Sequence, residues 1–158
     1  MEIVDLLAPE SVIPALKAQG KKQLLQELAA HAARITGLPE RRIFETLNER
    51  ERLGSTGMGQ GIAIPHGRMA GLAKITGLFA HLETPIAYEA VDDQPVDLVF
   101  LLLAPEGAGA DHLKALARVS RILRNQTTCE KLRAAKRPEV LYALLTEPTN
   151  GGASSQAA

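Results

Sequence analysis

The sequence predicts an α/β domain, on three observations. Segments with helical periodicity alternate along the chain with short apolar runs bounded by Gly and Pro, the pattern of helices packed on a sheet. The run from Asp97 to Ala104 is almost continuously apolar and suits a strand covered on both faces. The length, 158 residues, is one domain's worth of chain and long enough to bury a sizeable core.

In chain order, Met1 to Ala18 mixes Ile3-Val4 and Leu6-Leu7 with Pro9 and Pro14, which predicts short extended pieces and an edge strand rather than a long helix. From Lys21 to Thr36, Leu24, Leu28, His31 and Ile35 recur at helical spacing beside Leu25 and Ala32, and Gly37 follows as a stop. His31 on that stripe reads as a packing residue. Pro39 opens a second helix that runs to about Arg52 and is ended by Gly54. Ile43 and Leu47 form its inward face, and Arg50, seven residues past one and three past the other, lies on the same face. A guanidinium there calls for an anion, either a carboxylate partner or a ligand, unless it snorkels past the helix end.

After the glycine-rich stretch that follows, Leu72 to Leu82 reads as a strand, with His81 a packing residue at its end, and Glu83 to Gln94 as a link to the strand Asp97 to Ala104. Ala104 to Ala110 is a Pro/Gly loop, and Asp111 is placed to N-cap a helix running to about Asn125. His112 then falls in the first turn, on a stripe with Leu116, Val119 and Leu123. Unpaired N–H groups and the positive dipole end gather there and favour an anion, although a solvated first-turn histidine fits the same pattern. Cys129 to Ala135 and Pro138 to Thr146 are read as helices of a solvated outer layer rich in Lys and Arg. The domain is drawn at residues 1–147, and the small-residue stretch 148–158 is expected to be a disordered tail.

Composition removes several functions. Lys plus Arg and Asp plus Glu both number 18, so no global basic field attracts nucleic acid or an anionic membrane. Aromatics are 3% and Trp is absent, which leaves a core of Leu, Ile, Val and Ala and no platform for stacking bases. The single cysteine, Cys129, permits no internal disulfide framework and no thiolate zinc cluster. No basic segment with an apolar stretch stands at the N-terminus, and no apolar run is long enough for a bilayer, so the expected location is cytoplasmic.

Gly54 to Arg68 is where chemistry concentrates. Gly54, Gly57, Gly59 and Gly61 free the backbone for close approach of another surface. Ile62, Ala63 and Ile64 then read as an extended run that Pro65 stops, leaving the His66 imidazole at a strand end beside a Gly67 that does not crowd it. The dinucleotide fingerprint does not fit, because an extended run follows where a helix should open, and the Gly-Lys-Ser/Thr of a Walker loop is missing. On the residues alone, an irregular turn with an ordinary surface histidine is the simpler reading, and a nucleophile is the alternative.

Gly-Ser-Thr-Gly-Met-Gly-Gln-Gly-Ile-Ala-Ile-Pro-His-Gly, residues 54–67, resembles the active-site signature of the IIA proteins, type 2, of the bacterial phosphoenolpyruvate-dependent phosphotransferase system, the fructose and mannitol class. The likeness extends from about Leu6 to Thr146, including Leu82 to Ile86, Asp92 to Phe100, Leu102 to Pro105 and Asp111-His112-Leu113, and is strongest to the nitrogen-regulatory branch. It implies a three-layer α/β/α fold with a mixed sheet flanked by helices. It further implies that His66 carries a phosphoryl group as the tele-phosphohistidine, with Arg50 and His112 beside it. Ser55 and Thr56 supply weaker hydroxyl support, and Gly59, Gly61 and Gly67 with Met58 give a low-relief contact patch around the ring.

The implied donor is a small histidine-containing phosphocarrier protein, and the implied output is a regulatory target protein; no cofactor is required. A sugar-specific IIA component that passes phosphate to a IIB partner is the alternative within the family. Outside it stand an anion-binding sensor without phosphoryl transfer, and a metal hydrolase drawing on His31, His66, His81 and His112, although none of these has the i, i+4 or His-x-His spacing of a local metal site.

Overall fold

A computed structural model describes residues 1–147. The chain runs α1 (Ile3–Leu6), a 3-10 turn (Pro9–Ser11), β1 (Val12–Leu16), α2 (Lys21–Thr36), α3 (Glu40–Leu53), β2 (Gly57–Gly59), β3 (Ile62–Ala63), β4 (His66–Met69), β5 (Thr76–Ile86), β6 (Val96–Pro105), α4 (Ala110–Leu123), α5 (Gln126–Ala134) and α6 (Pro138–Thr146). The strands form one sheet in the order β1-β5-β6-β3-β2, with β4 also paired to β6. β5 and β6 are antiparallel, whereas β1 on β5 and both β3 and β4 on β6 are parallel, so the sheet is mixed.

β6 shows why the domain has three layers. Its side chains alternate between two separate cores: Val99, Leu101 and Leu103 pack with Leu24, Leu28, Ile43 and Leu47 of α2 and α3. Leu98, Phe100, Leu102 and Ala104 pack with Ala115, Val119, Leu132 and Leu141 of α4, α5 and α6. Every one of those β6 residues is at most 1% exposed, and each buried Leu or Phe contributes roughly 1.5–3 kcal/mol through apolar area removed from water.

The α2 and α3 pair follows its caps. α2 stops at Gly37, which takes the left-handed φ of 79° and bonds back to the Ala33 carbonyl. Its buried stripe is Leu24, Leu25, Leu28, Ala29 and Ala32; His31 lies on the flank of that stripe, half-buried, where its Nδ1 meets Arg34 Nη2 at 2.8 Å. α3 enters through Pro39 and ends at Gly54, and it buries Ile43, Leu47 and Glu51.

Several boundaries differ from expectation for local reasons. The N-terminal stretch contains the short helix α1, closed by a reciprocal Glu2 and Asp5 box, before the expected edge strand β1. β5 begins at Thr76 rather than Leu72 and continues through Thr84-Pro85 to Ile86, with a register shift between His81 and Ile86 that accommodates the proline. His81 therefore sits within the strand, 3.9 Å from Asp97, and not at its end. The N-cap of α4 is Gly109, so Asp111 lies in the first turn and makes no cap bond. α5 and α6 are more than a solvated layer, since Cys129, Leu132, Leu141 and Leu145 close the second core. Cys129 packs there with its thiol donating to the Leu123 carbonyl, and burial pushes that thiol's pKa up.

The stretch 148–158, expected to be a disordered tail, lies outside the described residues. Among the described residues no helix is long and apolar enough to cross a membrane.

Candidate functional site

His66 does not end a strand: it begins β4. β3 and β4 pair with β6 in one register, Ile62 opposite Leu98 and His66 opposite Leu102, so Pro65 interrupts the ladder without shifting it. The proline withholds an N–H, but its carbonyl still accepts from Leu102 N at 3.0 Å. Gly67, on the other face, is required by helix packing, since a Cβ there would stand 2.6 Å from Thr46 Cγ2 of α3. The absent side chain brings α3 against β4, and with it Arg50 against His66.

Two neighbours specify the same tautomer for His66. Nδ1 lies 2.9 Å from the Ile64 carbonyl oxygen, which only accepts, so the proton is on Nδ1. Nε2 lies 3.3 Å from Arg50 Nε, which only donates, so Nε2 offers a lone pair. Arg50 is steadied by a second bond, Nη1 to the Gly54 carbonyl at 2.9 Å. The same reasoning applies to His112, whose Nδ1 accepts from Arg68 Nε at 3.3 Å. Its proton is therefore on Nε2, and that nitrogen is buried without a hydrogen-bond partner among the described residues. The two rings meet edge to face, with centroids 5.6 Å apart.

Both rings are held neutral. Burial lowers the His66 pKa, opposed by the Ile64 carbonyl and reinforced by the Arg50 charge, with Glu51 acting weakly upward. For His112, burial again comes first, followed by His66 and Arg68. The site thus holds a neutral imidazole whose Nε2 lone pair meets one guanidinium and, buried beside it, one imidazole N–H without a partner.

These groups share an open cavity of about 660 Å³ between the end of α3, β4 and the start of α4. Leu53 and Leu113 line it and are 84% and 65% exposed, an apolar rim around a charged centre. Leu53 follows Arg50 on α3 and Leu113 follows His112 on α4, so each basic group has a hydrophobic neighbour at the rim.

The remaining residues singled out in the sequence are elsewhere. Gly59 and Gly61, with φ of 100° and 83°, flank Gln60 in the β2–β3 turn and are needed there for backbone shape. A Cβ at Gly61 would meet Arg133 Nη2 and Asp97 Oδ1, so this turn packs at the start of β6 and does not line the His66 cavity. The Ser55 hydroxyl donates to the Tyr88 carbonyl at 3.0 Å, and the Thr56 hydroxyl donates to the Glu51 carboxylate. Neither is turned to the ring. Of the patch expected around His66, only Gly67 borders it. His31 and His81 lie apart from the pair, and among the described residues no three His, Cys, Asp or Glu side chains gather as a metal set.

Arg68 was not among the residues drawn from the sequence. The signal was present: residues two apart on a strand share a face, and His66 and Arg68 are two apart.

Comparison with known proteins agrees with the signature. Residues 5–147 match the family model described as "Phosphoenolpyruvate-dependent sugar phosphotransferase system, EIIA 2". A nitrogen regulatory protein of Bradyrhizobium diazoefficiens is 60% identical over 148 residues, 94% of this chain and 97% of that protein. The crystal structure of nitrogen regulatory protein IIA-Ntr from Neisseria meningitidis superposes with a TM-score of 0.87 at 37% identity, over 91% of this chain and 99% of that one. The fold is also that of enzyme IIAMtl in its Escherichia coli complex with phosphorylated enzyme IIBMtl, with a TM-score of 0.76 at 19% identity, over 90% of this chain and 100% of that one.

Proposed function

We propose, for a chain that belongs to the EIIA 2 family of the phosphoenolpyruvate-dependent sugar phosphotransferase system, that His66 accepts a phosphoryl group on Nε2 from a histidine-containing phosphocarrier protein. The observation that carries this reading is the position of the Nε2 lone pair, fixed from both sides of the ring and open to a cavity shared with Arg50 and His112.

In the transfer, the Arg50 Nε–H gives up its bond to Nε2 and turns to the incoming phosphoryl oxygens, and the freed His66 Nε2 lone pair attacks phosphorus in line with the donor's P–N bond. The Nε2–P bond forms, the donor bond breaks, and its electron pair returns to the donor imidazole. The loose transition state spreads negative charge over three equatorial oxygens, which Arg50 meets with N–H donors. His112 lines the same cavity, and a small turn of its ring would bring its buried, unpartnered Nε2–H to the same group. As the His66 ring gives up its lone pair it becomes more positive, and the Ile64 carbonyl, accepting from Nδ1, stabilises that change. A donor protein docks by its own surface, and the exposed Leu53 and Leu113 provide apolar contacts around the reacting ring.

The name of the 60%-identical relative supports a regulatory output through a protein target. The mannitol complex supports the other use, onward transfer to a IIB partner, at the level of fold alone. Incubation with phosphoenolpyruvate, its phosphotransferase enzyme and the phosphocarrier is expected to give an acid-labile adduct that His66→Ala abolishes. An adduct that survives the substitution rejects the assignment. Tight phosphate binding without covalent label identifies a sensor instead.

A further inference from the structure

We infer that Glu51 is a positioning residue for phosphoryl acceptance, holding the Gly54–Thr56 turn and through it both Arg50 and the His66 ring; the inference rests on His66 being the acceptor. Glu51 does not line the cavity and touches neither ring. Its side chain is 4% exposed, and a carboxylate that deep is retained only if it is paired and hydrogen-bonded.

Of its four contacts, two hold Thr56 in the turn that leads to the site, and two, to Lys21 and Tyr88, anchor the carboxylate itself. Oε1 accepts from the Thr56 backbone N–H at 3.0 Å and faces the Lys21 ammonium at 3.1 Å. Oε2 accepts from the Thr56 hydroxyl and from the Tyr88 hydroxyl, the latter at 3.0 Å. Burial, with the Glu51 charge beside it, pushes the Tyr88 pKa up, so the phenol stays a donor. Lys21 closes the group over the Tyr88 ring, 4.6 Å from its centroid.

Thr56 is therefore held twice by one carboxylate, and two bonded paths lead from that turn to the chemistry. In one, the Thr56 carbonyl accepts from Ile64 N–H at 3.1 Å, and the Ile64 carbonyl accepts from His66 Nδ1 at 2.9 Å. In the other, the Gly54 carbonyl accepts from Arg50 Nη1 at 2.9 Å. The first path sets the ring's tautomer and angle, and the second sets the guanidinium beside Nε2. Both start at a turn that opens with Gly54, a residue whose backbone has no side chain to restrain it. Removing the carboxylate frees the turn, and with it the distance between nucleophile and cation, on which an in-line transfer depends steeply.

The test is phosphorylation of the full chain by a phosphohistidine donor protein, with rates at saturating and limiting donor. Glu51→Ala is expected to lower the saturated rate roughly tenfold with little change in donor KM, and Glu51→Gln, whose amide oxygen still accepts from Thr56 N–H, to restore part of it. Nitrogen NMR of the His66 ring should show the single Nδ1–H tautomer of the parent giving way to a mixture in Glu51→Ala. Because one of the two paths runs through Arg50, adding Glu51→Ala to Arg50→Ala lowers the rate by less than it does alone, the remainder coming through the His66 ring. A folded Glu51→Ala protein with parental rate and tautomer overturns the inference, and losses that multiply in the double variant overturn its Arg50 path. Should Glu51→Ala not fold, Thr56→Ala removes one hydroxyl bond while keeping the backbone; a slower rate that Thr56→Ser restores supports the inference, and an unchanged rate overturns it. A parent that takes no label at His66 overturns the proposed function as well, whereas a labelled parent with an indifferent Glu51 overturns this inference alone.

Discussion

Replacing Arg50 by Ala tests the electrostatic half of the mechanism. Its guanidinium lies 3.3 Å from His66 Nε2, so a phosphoryl group on that nitrogen would sit about 4 Å from the cation, an attraction of about 4 kcal/mol per unit charge at an effective dielectric near 20. The phosphoryl group is already charged before transfer and the cavity is open, so only part of that attraction is gained at the transition state. A share of about 1.4–2.8 kcal/mol corresponds to a rate loss of roughly 10–100-fold. The fold should survive, because the lost bond to the Gly54 carbonyl is exposed and contributes about 1 kcal/mol or less. Arg50 also depresses the His66 pKa, so the variant's ring should titrate higher than the parent's. The assay is the rate of label transfer from a phosphohistidine donor, with circular dichroism and a histidine titration as controls. Arg50→Lys, which keeps charge but not the forked donors, should fall between the two. A folded Arg50→Ala protein that accepts phosphate at the parental rate refutes the reasoning.

Further outcomes are expected. Gly67→Ala should cost about 1–3 kcal/mol in denaturant unfolding, because its Cβ would stand 2.6 Å from Thr46 Cγ2, and adding Thr46→Ser, which removes that methyl, should recover most of the loss. His112→Gln retains a side-chain N–H donor and should accept phosphate faster than His112→Ala; equal rates would remove the donor role of Nε2. All four histidines have pKa values lowered by burial, so below about 6.5 the unfolded chain binds more protons than the folded one. Unfolding free energy should therefore drop as pH falls from 6.5 through the folded values, with no histidine contribution above 6.5; a flat profile across that window contradicts the burial reading. The phosphorylation rate should hold as pH is lowered to 6.5 and decline only below it.

What the sequence disclosed follows the range of the interactions involved. α2 was legible to the residue because its period and the Gly37 stop lie within one segment, and β6 was legible because seven successive apolar residues need cover on both faces. Pro65 misled: a missing N–H normally ends a ladder, yet the parallel register with β6 continues across it, sustained by the proline's own carbonyl. Asp111 looked like a cap because its residue type suits one, but the turn places Gly109 there. Glu51 stands four residues past Leu47 and eight past Ile43, so helical spacing signals its burial, but its partners are not legible, since Lys21 and Tyr88 come to it from distant parts of the chain and only the fold brings them together. The glycines at 59 and 61 were rightly seen as special, and their reason is the β2–β3 turn rather than the histidine.

The most direct measurement of the central claim is phosphorus–nitrogen correlation NMR on the phosphorylated protein with labelled histidines. Phosphorus coupled to Nε2 of His66, with Nδ1 still protonated, is the expected result. Coupling to Nδ1, or to any other histidine, contradicts it.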